Sequence, residues 1–155
     1  MKYLLVFLIS MVPLVELRAA VPVALGMGLD PVVSYIICVI GNMLPVPVIY
    51  FFARKVLIWG KDKKYIGKFF TFCLEKGEKA GQKMVKAAGR GGLFVALMLF
   101  VGIPLPGTGA WTGALGASFL NMGFKSTVAA VSLGVIIAGI IMAVGSTGVF
   151  NMIGL

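Results

Sequence analysis

The chain has 155 residues, of which 60% are hydrophobic and only 12% charged, and it carries a formal charge of +9 with no histidine. Its mean hydropathy is +1.06. Soluble domains run near half apolar and about a quarter charged, so a lipid bilayer is the expected solvent, and the missing histidine removes His-based triads and most zinc sites. Taken in chain order, the first apolar stretch covers Tyr3 to Leu29 and is interrupted by Pro13, Glu16, Arg18 and Pro22. A proline, an acid and an arginine within six positions do not suit the centre of a plain span of about 20 residues. Two half-helices meeting at a turn inside the membrane, a re-entrant hairpin, fit better. Lys2 followed by an apolar run resembles the start of a signal peptide, but Glu16 and Arg18 follow and no small-residue cleavage site precedes Val21 cleanly, so no cleavage is expected.

Asp30-Pro31 is a strong helix start. The helix from Pro31 to Ala53 is long enough to span, and Gly41-Asn42 with Pro45 and Pro47 should kink it and free backbone groups. Arg54, Lys55 and Trp59 mark an interfacial border. From Lys61 to Arg90 a connector helix is expected, with Ile66, Phe69, Phe70, Cys73, Gly77 and Met84 among the residues of one face and lysines on the other. Glycines 67, 77 and 81 should weaken it. Its simplest placement is on the membrane surface or on the transmembrane core, with Arg90 as an interfacial anchor. The second apolar stretch, Leu93 to Leu120, is broken at Gly102-Ile103-Pro104-Leu105-Pro106-Gly107-Thr108-Gly109, and a last span rich in small residues runs from Ser126 to about Phe150.

The positive charge is confined. Residues 54–90 hold eleven basic and three acidic groups, a net +8, whereas residues 1–53 balance at zero and residues 91–155 hold only Lys125. One basic connector between apolar blocks points to the cytoplasmic side of the cell membrane and to anionic lipid headgroups, not to nucleic acid. Cys38 and Cys73 form no CxxC pattern and read as small apolar residues rather than a disulfide.

The two halves share a plan, a broken hairpin and then a long span, with Pro13-Leu14 echoed by Pro104-Leu105 and Ala24-Leu25-Gly26 by Ala114-Leu115-Gly116. We therefore expect a single membrane domain over 1–155. Its fold class is an all-α integral membrane protein: repeat 1 over 1–55, a basic amphipathic cytoplasmic helix over 56–90, and repeat 2 over 91–155. Each repeat has one re-entrant helical hairpin and one transmembrane helix, so the repeats have opposite topology, as in secondary transporters. If both hairpins instead crossed fully, four ordinary helices would result and the connector would still lie inside.

The stretches Pro13-Leu14-Val15-Glu16-Leu17-Arg18-Ala19-Ala20-Val21-Pro22 and Pro104-Leu105-Pro106-Gly107-Thr108-Gly109-Ala110-Trp111-Thr112-Gly113, with Gly41-Asn42 and Pro45, resemble the small multidrug export protein family. That family is distantly similar to the DedA superfamily, also called the VTT domain. The resemblance implies export through a membrane and, at its DedA-like distance, paired re-entrant hairpins and recycling of a polyprenyl phosphate lipid.

Glu16 and Arg18 are the only ionisable residues near the middle of any apolar stretch, and such residues are expected to be functional. Glu16 is the proton-coupling candidate. The structural alternative is a Glu16–Arg18 pair that pins its own turn. Gly107, Thr108 and Gly109 leave amides uncrowded ahead of a half-helix starting near Ala110, which suits an anion, although a tight turn would need the same glycines. Asn42, Trp111 and Thr112 complete the candidate substrate site, and no metal site or cofactor is expected. The leading reading is a small secondary transporter of an anionic or amphipathic lipid-like substrate, such as a polyprenyl phosphate, with Glu16 as the residue that would couple it to protons. The alternatives are a proton-coupled small multidrug exporter and, from another class, a membrane scaffold binding lipid or a partner. No enzyme is expected. The partners expected are membrane lipids and further copies of the chain in a homodimer or larger.

Overall fold

The computed structural model describes residues 1–89 and 92–153; Arg90 and its expected anchoring role lie outside them, as does the Arg54 side chain. The described residues are helical with no strand. Helices α1 (Lys2–Met11) and α2 (Glu16–Gly26) are joined by a short turn. Pro13 cannot continue α1, and the chain reverses through positive φ at Leu14 (68°) and Glu16 (54°), a conformation that costs an L-residue about 1–2 kcal/mol. The reversal is complete: Lys2, at the start of α1, donates to the Met27 carbonyl just past the end of α2 at 3.4 Å. Pro22, expected as an interruption, sits inside α2 without ending it. It withholds only the bond to the Arg18 carbonyl, and the buried residues Ala20, Val21 and Ala24 hold that helix in place.

Asp30 caps α3 (Pro31–Met43), its carboxylate accepting from the Val33 amide at 2.8 Å. Pro45 and Pro47 each withhold an amide, and the helix passes through a single turn, α4 (Val46–Val48), and a π-helical turn over Ile49–Ala53 before regular bonding resumes in α5 (Arg54–Gly60). The apolar stretch Pro31–Ala53 has 23 residues, which at 1.5 Å each reach about 35 Å. The connector helix α6 is shorter than expected, Gly67–Ala88, because α5 runs on to Gly60 and a turn takes up the residues between.

Helices α7 (Leu93–Gly102) and α8 (Ala110–Phe119) flank the glycine-rich break, and α9 (Phe124–Ile153) follows. The spans α3 and α9 run antiparallel: Tyr35 donates to the Ile136 carbonyl, Ser132 to the Met43 sulfur, and Phe51 stacks on Phe124 at 4.7 Å. Helices α1 and α7 each pack on the span of their own half, α3 and α9 respectively, while α2 reaches across to α9 and α8 to the π-helical end of the first span. Val6, Leu17, Ala24, Leu97, Val101 and Val131 form the middle of the shared core.

The glycines of α6 do not merely weaken it. A Cβ on Gly77 would stand 2.6 Å from the Leu115 side chain, and one on Gly116 would stand 3.0 Å from the Gly81 amide. These positions let α6 lie backbone to backbone on α8, so the connector is part of the helical core. Only 33% of the apolar window of each long span is buried inside the protein. Many large apolar side chains therefore stay exposed, which suits a lipid environment.

Candidate functional site

The breaks of the two hairpins meet. The positive φ at Glu16 throws its side chain out of α2 toward the start of α8. There its carboxylate accepts from the Ala110 amide at 3.1 Å and the Trp111 amide at 3.0 Å. These are two of the four amides that a helix N-terminus leaves without partners, and the dipole there favours a negative charge. Gly109 makes the approach possible. With φ of 136° it occupies a conformation open to glycine, and a Cβ there would collide with the Glu16 carboxylate, 2.8 Å from its Cδ. The helix N-terminus expected to favour a bound anion is therefore filled by Glu16, which is 3% exposed.

Arg18, half a turn further along α2, serves the other helix end. Its guanidinium donates to the Leu105 carbonyl at 2.6 Å and to Thr108 Oγ1 at 2.8 Å, with longer bonds to the Val101 and Ile103 carbonyls. A cation at the carbonyl end of α7 is the complement of an anion at the amide end of α8. Among the described residues Glu16 and Arg18 form no ion pair with each other; each is spent on the opposite hairpin. Thr108 Oγ1 also bonds the Ile103 and Leu105 carbonyls. Trp111 returns the contact, its indole N–H donating to the Met11 carbonyl at the end of α1 at 3.2 Å.

Two depressions adjoin this junction. The first is an apolar chamber of about 300 Å³ between the Pro13-Leu14 turn, the end of the first span, α6 and α8, walled by Phe69, Phe70, Phe72, Trp111, Thr112 and Leu115 among others. The second is a shallower hollow of about 410 Å³ over the second break, lined by Arg18, Lys76, Pro104, Gly107 and Thr108. Leu14, Phe72 and Lys76 border both. Cys73 also lines the chamber, and burial pushes its thiol up from the usual cysteine value.

Of the residues singled out from sequence, Glu16, Arg18, Thr108, Gly109 and Trp111 come together at the junction, and Thr112 and Gly107 border the hollows beside it. Asn42 does not join them. It is buried on α3 at 1% exposure with neither amide atom bonded among the described residues, and it lines neither hollow. Sequence reasoning missed Lys76 and the phenylalanines of α6. The signal was present: three phenylalanines crowd the first half of the connector at 69, 70 and 72, and Gly77, Gly81 and Gly116 mark a helix that docks.

Apolar spans around a junction of broken helices, with buried charge at the joint, define a small helical membrane protein. The chain belongs to the family described as "Putative small multi-drug export protein", which matches residues 16–141, from the start of α2 through the connector and the second break into the last span. That description is one of membrane transport. No curated protein and no solved structure matches the chain.

Proposed function

We propose that the chain is a secondary transporter of an anionic amphiphile, of the kind a polyprenyl phosphate represents, in the cell membrane, and that Glu16 couples it to protons. The observation that carries this reading is that the apolar chamber lies beside a cationic hollow, with Leu14, Phe72 and Lys76 lining both. An amphiphile places a chain in one and a negative head in the other. Protonating Glu16 would weaken its hold on the Ala110 and Trp111 amides, loosening one hairpin from the other; that is the movement an alternating-access cycle needs.

The architecture belongs to the same proposal. Helices α1 and α7 have 10 residues each, about 15 Å and half a hydrocarbon thickness, so two re-entrant hairpins and two antiparallel spans make an inverted repeat. The net +8 connector then faces the cytoplasmic side, and a second copy completes a pathway that one chain this small encloses only in part. In a chain without its native cysteines, single cysteines at positions 2 and 152 should label from outside and one at position 64 from inside. Inside labelling of both ends would replace the hairpins with four plain spans.

Transport is tested with purified protein in liposomes, following movement of a fluorescent polyprenyl phosphate analogue and of ethidium under an imposed pH gradient. The phosphate lipid should move, and Glu16→Gln should remove the dependence on the gradient. The aromatic wall of Phe69, Phe70, Phe72 and Trp111 favours a second reading, export of flat cationic drugs. Movement of ethidium with none of the phosphate lipid would establish that reading and overturn ours. Movement of neither would leave the scaffold.

A further inference from the structure

We infer that Lys76, on the connector helix, is the group that recognises the negative head of the substrate, together with the free amide of Gly107. This rests on the anionic-amphiphile reading and names the site within it. Arg18, the other cation that lines the hollow over the second break, is already committed. Both terminal nitrogens of its guanidinium donate within the break, and the remaining Nε is buried without a partner. Thr108 Oγ1 is likewise engaged, accepting from Arg18 and facing the Ile103 and Leu105 carbonyls.

Lys76 is in the opposite condition. It borders both hollows, and its Nζ stands 3.3 Å from where a Cβ on Gly107 would be. It lies 5.4 Å from the centre of the Phe72 ring and makes no ion pair among the described residues. The nearest acid along its own helix, Glu75, pairs instead with Lys79 at 3.9 Å. Gly107, at φ 80°, has an amide that donates to no group among the described residues. An ammonium and an unpaired amide at one side of a hollow, with the Arg18 charge beneath it, make a receptor for a phosphate monoester or similar oxyanion. Its position at the border of the apolar chamber selects a head that carries a chain. Because Lys76 stands on the connector and Gly107 on the second hairpin, a bound head bridges the two elements, and the connector becomes part of the substrate site.

The test uses the full chain in phosphatidylcholine nanodiscs with Trp59→Phe, which leaves Trp111 in the chamber as the tryptophan reporter, and a terminally brominated dodecyl phosphate as quencher. Lys76→Gln should weaken the phosphate at least about tenfold, the scale of one charge-assisted hydrogen bond, and Lys76→Arg should restore most of it. Lys79→Gln, one turn away with the same charge change, should leave binding within about twofold. Brominated dodecanol should bind the same with and without Lys76, and inorganic phosphate should compete only weakly, which separates a lipid head from a free ion. Equal losses in Lys76→Gln and Lys79→Gln would reduce the effect to general surface charge and overturn the inference. Unchanged binding in Lys76→Gln would overturn it while leaving the anionic reading standing. No quenching by the phosphate in the unmutated site, with quenching by brominated dodecyltrimethylammonium, would overturn both. Melting curves confirm that each variant is folded.

Discussion

The break in the first hairpin carries an acid and an arginine within three residues, whereas from Leu93 to Phe124 no residue is ionisable. What the second hairpin lacks in charge it has in exposed helix ends: the carbonyls that finish α7 and the amides that start α8. Glu16 takes the amides and Arg18 the carbonyls. Two halves of similar plan have thus divided the work, one supplying ions and the other the dipoles that hold them. An ion satisfied by a helix end needs no counter-ion, and this lets a carboxylate and a guanidinium two residues apart sit in an apolar protein without pairing.

The most direct way to break this comparison is to remove the ions. Glu16→Ala strands the Ala110 and Trp111 amides in an apolar interior and should destabilise the protein by about 3–5 kcal/mol, read as a drop in Tm in detergent. Arg18→Met should cost less, on the order of 2–3 kcal/mol, since its partners are carbonyls and a hydroxyl. The sharper test is the double variant. If the two charges chiefly neutralised each other, removing both would cost less than removing Glu16 alone. If each serves its own helix end, removing both costs clearly more than removing Glu16 alone, short of full additivity only by the attraction between the two neighbouring charges.

A smaller effect comes from the dipole side. Gly109→Ala keeps every charge but sets a methyl group against the Glu16 carboxylate and forces an L-residue to φ 136°. We expect a loss of about 2–3 kcal/mol, and the same change made in Glu16→Ala should cost clearly less because the collision is gone. Equal costs in both backgrounds would mean that Gly109 is needed only for its own turn.

This asymmetry also marks how far the sequence could be read. The helical elements and both breaks follow from Pro13, Asp30-Pro31, Pro45 and the run at 104–109, because proline and glycine act locally and each acts alone. The importance of Glu16 and Arg18 follows from their cost in an apolar stretch. Their partners do not, because nothing in a sequence says which helix end a charge will reach ninety residues away; the anion expected at the start of α8 is the Glu16 carboxylate. Asn42 lies beside two prolines and can donate or accept, but those prolines bend the first span without bringing that side chain to the chamber. The connector's placement stayed open between two surfaces. A charged amphipathic helix next to apolar spans has two apolar surfaces to choose from, lipid and protein, and its periodicity is the same for both. Only the close approach at Gly77 and Gly116 distinguishes them.

The connector can be compared with the hairpins by a milder probe, the thiol of Cys73. Cys38 is fully buried and Cys73 partly so, which makes Cys73 the more accessible native cysteine. Burial raises its thiol above the ordinary value, so at any given pH less of it is thiolate than of an exposed cysteine, and the thiolate is the reacting form. Maleimide labelling at pH 7.5 should therefore be slower at Cys73 than at a cysteine replacing the exposed Thr71 on the same helix in a Cys73→Ser background. Both rates should climb with pH, and the Cys73 rate should keep climbing after the Thr71→Cys rate has levelled off, since the raised group is the last to ionise. Adding dodecyl phosphate should slow Cys73 further by filling the chamber and leave Thr71→Cys unchanged. If α6 lay free on the membrane surface, its apolar face in lipid, the ligand would protect neither position or both alike, and the connector would drop out of the site.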